Sequence, residues 1–316
     1  MSSNHSLNSA KWVQNNEFYT LLSVIEAELR YYVHLFRGKV VYCNCDDPYE
    51  SNFFKYFALN FQHLGLAKLI TTGYAGSRIA KGKVPSIIAI TDMRDFNGNG
   101  STDLEDVDVL LAEYPQTPLE GDGDFRSDEC IALLKEADIV VTNPPFSLFR
   151  EYVAQLVEHG KRFLIIGNLN AITYKEVFQH IKDGRLWLGY RNGAKTFLTP
   201  AGTETKMGNT CWFTNLPVIK RSTPLPLYRT YTPDLYPHYD NYNAINVDKV
   251  ADIPMDWPHA MGVPITFLDK YCPEQFDIIG IDRRLTEALT GKVSRFYIDD
   301  NEIYARIIIQ HKKAAK

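Results

Sequence analysis

Ala137-Asp138-Ile139-Val140-Val141-Thr142-Asn143-Pro144-Pro145-Phe146, followed by Ser147-Leu148-Phe149-Arg150-Glu151-Tyr152-Val153-Ala154-Gln155-Leu156-Val157, decides the fold class. The first six residues are a strand-like apolar run, and the last eleven carry apolar residues at helical spacing. Pro-Pro after an apolar run can simply end a strand. With a helix directly behind it, the tetrapeptide Asn143–Phe146 instead reads as a strand-to-helix turn at a strand's carboxyl end, where open α/β sheets bind their ligands. Two prolines fix φ and remove two N–H groups. The amide oxygen of Asn143 and the carbonyl of Pro144 can therefore converge as acceptors on one planar NH2 group, with the Phe146 ring as a stacking face. Two acceptors on an amino group direct its lone pair at an electrophile, which suits methyl transfer to an exocyclic nitrogen better than hydrolysis or redox chemistry. Asn143, Pro144 and Phe146 are the catalytic candidates.

Outward from this turn, strand-like runs (Lys39–Cys45, Lys68–Thr72, Ala137–Thr142, Arg162–Gly167) alternate with helical ones (Asn52–Leu64, Ser127–Glu136, Leu148–His159, Tyr174–Lys182). This alternation predicts a doubly wound, mostly parallel α/β sheet of Rossmann-like type. Leu186–Tyr190 and Thr210–Leu216 read as strands closing the sheet edge around a Gly-containing loop, 191–209. Beyond Arg221, four prolines crowd a Tyr-rich segment, which predicts an irregular α+β C-terminal region. Its later part offers a strand at Gly262–Leu268, a short helix at Pro273–Gly280 and a terminal hairpin ending in Tyr304–Gln310.

The 316 residues carry 34 Lys+Arg against 38 Asp+Glu, an ordinary globular balance. No apolar stretch is long enough to span a membrane, the N-terminus lacks a signal peptide's regions, and a cytoplasmic location is expected. Five cysteines without a Cys-x-x-Cys pair read as reduced and structural. The charge is unevenly spread: between residues 185 and 230, Arg185, Arg191, Lys195, Lys206, Lys220, Arg221 and Arg229 face only Glu204. Such a strip is a footprint of phosphate binding. Arg191, Lys195, Lys206, Lys220 and Arg221 are the nucleic-acid candidates.

The chain resembles the EcoRI modification methylase family of adenine-specific DNA methyltransferases. The resemblance is carried by Glu17–Thr20, Val40–Pro48 with Ser51–Phe57, Gly121–Ser127, Asp138–Phe149, Tyr239–Tyr242 and Met261–Leu268. It implies S-adenosylmethionine as methyl donor, double-stranded DNA as substrate and a target adenine flipped out of the duplex. Carried over by position, Phe18, Tyr19 and Thr20 help hold the cofactor's methionine end. Asp46, Asp47 and Pro48 replace a Gly-rich cofactor turn, Asp124 and Phe125 meet the cofactor's adenine, and Asn143 borders the cofactor as well as the base. On this reading residues 1–222 form the catalytic domain, with 191–209 facing DNA, and 223–316 form the target-recognition region. The protein is expected to act as a monomer, and a cognate restriction endonuclease is a possible partner. The second strand ends Thr71-Thr72-Gly73-Tyr74, with no carboxylate for the ribose hydroxyls.

Asp95, Asn97, Asn99, Asp103 and Asp106 stand at calcium-loop spacing, with Gly100 at position 6. Thr102 at the usual apolar position and the missing preceding helix favour a solvated insertion, and no metal is expected in the reaction. Alternatives to DNA adenine methylation are another amino group, such as an RNA base or a protein glutamine, and a non-catalytic DNA-binding relative. A cytosine C5 enzyme would need a nucleophilic cysteine after a proline, whereas Cys272-Pro273 has the reverse order.

Overall fold

Four short runs buried at nearly every residue make the centre of the fold. The structure is a computed structural model describing residues 19–45, 51–74, 85–113, 117–199 and 203–312. It divides into two compact units, Met1–Leu169 with Arg191–Leu216, and Asn170–Tyr190 with Pro217–Lys316. Residues 170–190 thus group with the C-terminal part, as do 217–222, which differs from a boundary after residue 222. Among the described residues no helix is long and apolar enough to cross a membrane.

The first unit begins with β1 (Tyr19–Thr20), α1 (Leu22–Leu29), β2 (Val40–Asn44), α2 (Asn52–Leu59), α3 (Phe61–Leu64) and β3 (Lys68–Thr72). It continues with β4 (Ser86–Ile90), α4 (Leu104–Glu113), β5 (Thr117–Pro118), α5 (Asp128–Glu136), β6 (Ile139–Thr142), α6 (Phe149–Glu158) and β7 (Arg162–Asn168). The chain next supplies α7 (Lys175–Lys182) and β8 (Trp187–Leu188) to the second unit, then returns as β9 (Lys195–Leu198), β10 (Glu204–Met207) and β11 (Thr210–Thr214). Within the first unit the main sheet runs β5-β4-β3-β2-β6-β7-β11. Strands β3, β2, β6 and β7 are parallel neighbours, and β4, β5 and β11 add antiparallel edges. Val41, Tyr42, Leu69, Ile70, Ile139–Val141 and Phe163–Ile166 are fully buried. Strands covered on both faces lose the polar alternation of a one-sided sheet, so they read as continuous apolar runs.

Two expectations are modified locally, one of a helix and one of a loop. The run Asn52–Leu64 is split at Asn60, which leaves helical backbone angles (φ −101°, ψ 11°) and donates to the Tyr56 carbonyl with both its backbone N–H (3.1 Å) and its side-chain amide (2.8 Å). Gly65, at φ +62°, then ends α3 in the left-handed region. Residues 191–209 are not simply a loop: β9 and β10 form a hairpin that pairs with β1, Thr20 opposite Phe197 and Tyr19 opposite Leu198. Thr210–Thr214 pairs antiparallel with β7.

The second unit holds a four-stranded sheet, β12-β13-β17-β14, built from β12 (Ile245–Asn246), β13 (Met261–Pro264), β14 (Phe276–Ile281) and β17 (Arg306–His311). Helix α8 (Asp282–Thr290) and the hairpin of β15 (Tyr297–Ile298) and β16 (Asn301–Glu302) lie between β14 and β17 in the chain. The expected helix over Pro273–Gly280 is instead β14. Phe276, Ile278 and Gly280 are buried in a period of two, interrupted by a bulge between Ile278 and Gly280. The strand expected at Gly262–Leu268 stops at Pro264 and becomes a 3₁₀ turn. β17 pairs with both β13 and β14 rather than closing a terminal hairpin. The string Tyr239–Tyr242 organises this unit. The Tyr239 ring covers Gly262, where a Cβ would come within 2.2 Å of its hydroxyl, and Asn241 bridges Arg295 O (2.9 Å) and Tyr297 N (3.1 Å).

Candidate active site

Register brings three strand ends together. Asn44 of β2 lies opposite Thr72 of β3, and the β2–β6 pairing carries Asn44 beside Thr142. Thr142 donates its hydroxyl to the Asn44 carbonyl, and the Tyr152 hydroxyl donates to the Asn44 side-chain oxygen. Tyr42 and Thr72 share a hydroxyl hydrogen bond of 2.9 Å. Burial pushes the Tyr42 phenol well above its ordinary range, so it stays neutral. Cys45 then takes φ +66° and turns the chain sharply after β2. Asp46, Asp47 and Pro48 lie outside the described residues, as does Phe18.

Beyond Thr142, Pro144 is buried while Asn143 and Phe146 are half-buried, and the Asn143 amide oxygen is shielded from solvent. A 3₁₀ turn over Phe146–Leu148, closed by Leu148 N donating to Pro145 O (3.0 Å), leads into α6. Phe149 fixes that turn from below. Its ring lies so close to Gly167 that a Cβ there would meet it at 2.5 Å, and it packs on Phe213 with centroids 4.9 Å apart. Tyr152 is the hydroxyl-bearing residue on the buried face of α6, and it reaches back to Asn44.

Of the cofactor candidates, Thr20, Asp124 and Phe125 are among the described side chains near this edge. Asn52 at the start of α2 donates to the Thr20 carbonyl (2.8 Å), tying β1 to the turn after β2. Ser51 caps α2 by accepting from Phe53 N (3.1 Å) and Phe54 N (3.4 Å). Those amides are thus consumed by the cap and are not offered to a ligand. The Thr20 hydroxyl is buried without a hydrogen-bond partner among the described residues, which suits a polar ligand at this point. The loop 121–126 laps over the end of β3. Gly123 adopts φ +78°, and a Cβ would stand 2.2 Å from the Gly73 carbonyl, so only glycine permits the approach. Phe125 is buried edge-on to Tyr152 at 5.0 Å, which joins this loop to the Asn44 cluster. Asp124 is held by Arg126 through Nη2 (2.7 Å) and Nε (2.8 Å), and Arg126 reaches on to Glu151 (2.9 Å). The Arg126 guanidinium holds the Asp124 carboxyl below its ordinary range. A ligand amino group must therefore share Asp124 with Arg126. Asp122 is a turn residue, accepting from Asp124 N (2.9 Å).

The basic strip divides between the units. Arg191 and Lys206 are exposed in the first. Lys195 is a correction: it is buried, and its ammonium donates to the carbonyls of Gly193 and Thr210 (3.2 Å each), so it is not presented to DNA. In the second unit Lys220 is paired with Asp269 (2.5 Å), and Arg221 stacks over Trp187 at 4.1 Å, half-buried, with desolvation lowering its pKa. Neither is the freely solvated cation expected of a simple phosphate contact.

The loop at 95–106 is closed on itself. Asp95 accepts from Gly98 N, Asn99 N and Gly100 N, and buried Asp106 accepts from Phe96 N, Asn97 N and Asp103 N. These backbone donors, Asp103 N foremost, hold the Asp106 carboxyl below its ordinary range. The segment is therefore an Asx-turn network sealed by a buried carboxylate rather than a merely solvated insertion. Among the described residues no three His, Cys, Asp or Glu side chains gather as a metal site.

The sequence that builds this site matches a known family. Residues 6–312 match the family described as adenine-specific methyltransferase EcoRI. The chain belongs to that family. It is 45% identical to the type II methyltransferase M.EcoRI of Escherichia coli, over 100% of this chain and 99% of that protein. It is 38% identical to M.MpnI of Mycoplasma pneumoniae, over 87% of this chain and 85% of that one. M.MgeORF184P of Mycoplasma genitalium is 37% identical over 87% and 86%. Two supporting roles have no counterpart among the sequence candidates, those of Asn44 and Tyr152, while Asn52, expected from its place at a helix start to offer its backbone N–H, also acts through its side chain. Asn44 had a visible signal, as an amide closing an apolar strand. Tyr152 had none, because only the packing of α6 shows where its hydroxyl points.

Proposed function

We propose that this adenine-specific methyltransferase transfers a methyl group from S-adenosylmethionine to N6 of an adenine flipped out of double-stranded DNA. The observation that carries the reading is the Asn143–Phe146 turn, at the carboxyl edge of β6 and beside the Asn44 cluster. The residues there fit the cofactor: Thr20 offers a buried hydroxyl, Phe125 an apolar wall, and Gly123 a backbone surface that accepts close approach. When bound, S-adenosylmethionine supplies an electrophilic methyl on a sulfonium that departs as a thioether.

Asn143 and the Pro144 carbonyl hold the two amino hydrogens of the adenine and so orient its lone pair. Shielding from water strengthens such acceptors. As the C–N bond forms, positive charge grows on the nitrogen, and both neutral acceptors stabilise it without becoming protonated. The surplus proton leaves to solvent. Phe146, half-exposed at the mouth of the turn, stacks on the extruded base. The first unit is the proposed catalytic body, and the second unit together with the 191–209 hairpin is proposed to read the target.

Expression in a methylation-free host, followed by sequencing for modified bases, tests the reading. N6-methyladenine at one short sequence, lost in Asn143→Ala, is expected. Methylated cytosine, or no modified DNA base with active purified protein on RNA, would overturn it.

A further inference from the structure

We infer that the groove between α1 and the start of β9 seats the sugar-phosphate backbone next to the target base, with Arg30 and Arg191 contacting phosphates. The inference rests on the DNA-methyltransferase reading above. A cavity of about 450 Å³ opens here within the first unit. Ser23, Ala27 and Arg30 line one wall, recurring on a single face at helical spacing. Arg191, Asn192 and Thr196 line the other. The lining contains no carboxylate, and its polar groups are donors of the kind that phosphate oxygens accept: two guanidiniums, two hydroxyls, an amide and the largely buried Lys195 ammonium.

Both arginines are exposed, and among the described residues neither is in an ion pair. The Arg30 guanidinium donates through Nε to the Ala27 carbonyl (3.2 Å) and lies over the Tyr31 ring at 5.9 Å, on an exposed residue. Glu26, exposed one turn before Arg30, is not part of the lining, while Glu28 is buried and accepts from the Tyr32 hydroxyl (2.9 Å) and from Arg191 N (2.6 Å). Glu28 therefore fixes the Arg191 backbone while its charge stays beneath the surface. Lys195 lies under the floor and adds positive potential there.

Position gives the groove its meaning. From Thr196 the strand runs into Phe197 and Leu198, which pair with Thr20 and Tyr19, and Thr20 is tied by Asn52 to the cofactor edge. The groove is thus one strand away from the candidate active site on the same body. An enzyme that extrudes a base has to grip the flanking backbone close to its catalytic pocket, and planar guanidiniums do so bidentately.

The test uses the full chain with Arg30→Ala, Arg191→Ala, the double variant and Arg30→Lys. Duplex affinity is measured against salt, cofactor affinity by calorimetry, and folding by melting. Each alanine change should weaken target and non-target duplexes alike and lower the slope of log K against log salt by about 0.9. Cofactor affinity and melting should stay at wild-type values, and Arg30→Lys should restore the slope. A well-folded double variant with wild-type affinity and slope overturns the groove assignment. So does a change of methylated sequence without uniform weakening, because base readers behave that way. A wild-type chain that binds no duplex would instead overturn the functional reading on which the groove depends.

Discussion

At the carboxyl edge of the parallel strands, the buried polar groups are neutral amides and hydroxyls: Asn44, Thr72, Thr142 and the phenols of Tyr42 and Tyr152. At the junction of β14 with α8 they are charged. Asp282, 1% exposed, pairs with Arg295 (2.9 Å) and accepts from Arg283 N (2.7 Å). Arg306, almost as buried, donates through Nε to Asn246 (3.0 Å), which also accepts the Tyr239 hydroxyl (2.8 Å). Charges in a low-dielectric interior tolerate little displacement, since losing a partner strands a desolvated ion. Neutral acceptors hold position through weaker bonds and can exchange a protein partner for a ligand. The second unit uses polarity to set its own shape. On the proposed function, the first keeps polarity uncharged where a cationic methyl donor and an amino group would meet.

This contrast is broken most directly at Asp282. Asp282→Ala leaves Arg295 buried and unpaired, with an expected loss of ~3–5 kcal/mol of stability. Thermal melting checks it, and a wild-type transition would show that the network is not structural. Asn143→Ala should do the reverse. Removing one transition-state hydrogen-bonding group costs about 10²–10³-fold in kcat, while melting and cofactor affinity change little. A large melting shift with intact turnover would place Asn143 among the structural amides.

The two regions were also unequally legible in the sequence. The four parallel strands and the Asn143 turn depend on local patterns, apolar runs and a Pro-Pro step followed by helical spacing, and the structure has them within two residues. β14 was misread as helix because Gly280 and the bulge at Ile278 blur its period of two. Gly280 is needed for packing: a Cβ there would meet Leu285 at 2.7 Å. Lys195 looked like a DNA contact because nothing in its neighbours shows that the Gly193 and Thr210 carbonyls will enclose its ammonium. Asp124 looked free for a ligand although Arg126, two residues on, is the residue that holds it. In each case the missing information was a partner supplied by the fold.

Phe146 sharpens the comparison from the ligand's side. If the half-exposed ring stacks on the extruded adenine, Phe146→Ala should lose ~1–3 kcal/mol in kcat/KM on duplex DNA. The loss should shrink on a duplex with a mismatch at the target, because extrusion then costs less. An equal loss on matched and mismatched duplexes would make Phe146 a packing residue like Phe149.

The smallest expected effect lies at the boundary of the two strategies, where the first unit does use a charge. Asp124 and Arg126 form a bidentate pair, but Arg126 is 50% exposed, so solvent limits its worth. Arg126→Ala should cost only ~0.2–1 kcal/mol. It should appear mainly as a modest drop in cofactor affinity, because the pair braces the loop that laps over Gly73. The pH dependence has a definite sign. Arg126 lowers the folded-state pKa of Asp124 below its unfolded value, about 3.9. The stabilisation is therefore fully present above that unfolded value and disappears as the pH falls through the lower folded one. Wild type and Arg126→Ala should differ in melting temperature at pH 7, begin to approach each other below about pH 4, and converge only once the pH has fallen through the lower folded-state value. Curves that stayed parallel down to acid pH would mean that Arg126 acts through its stacking on Phe125, at 5.3 Å, rather than through the Asp124 carboxylate.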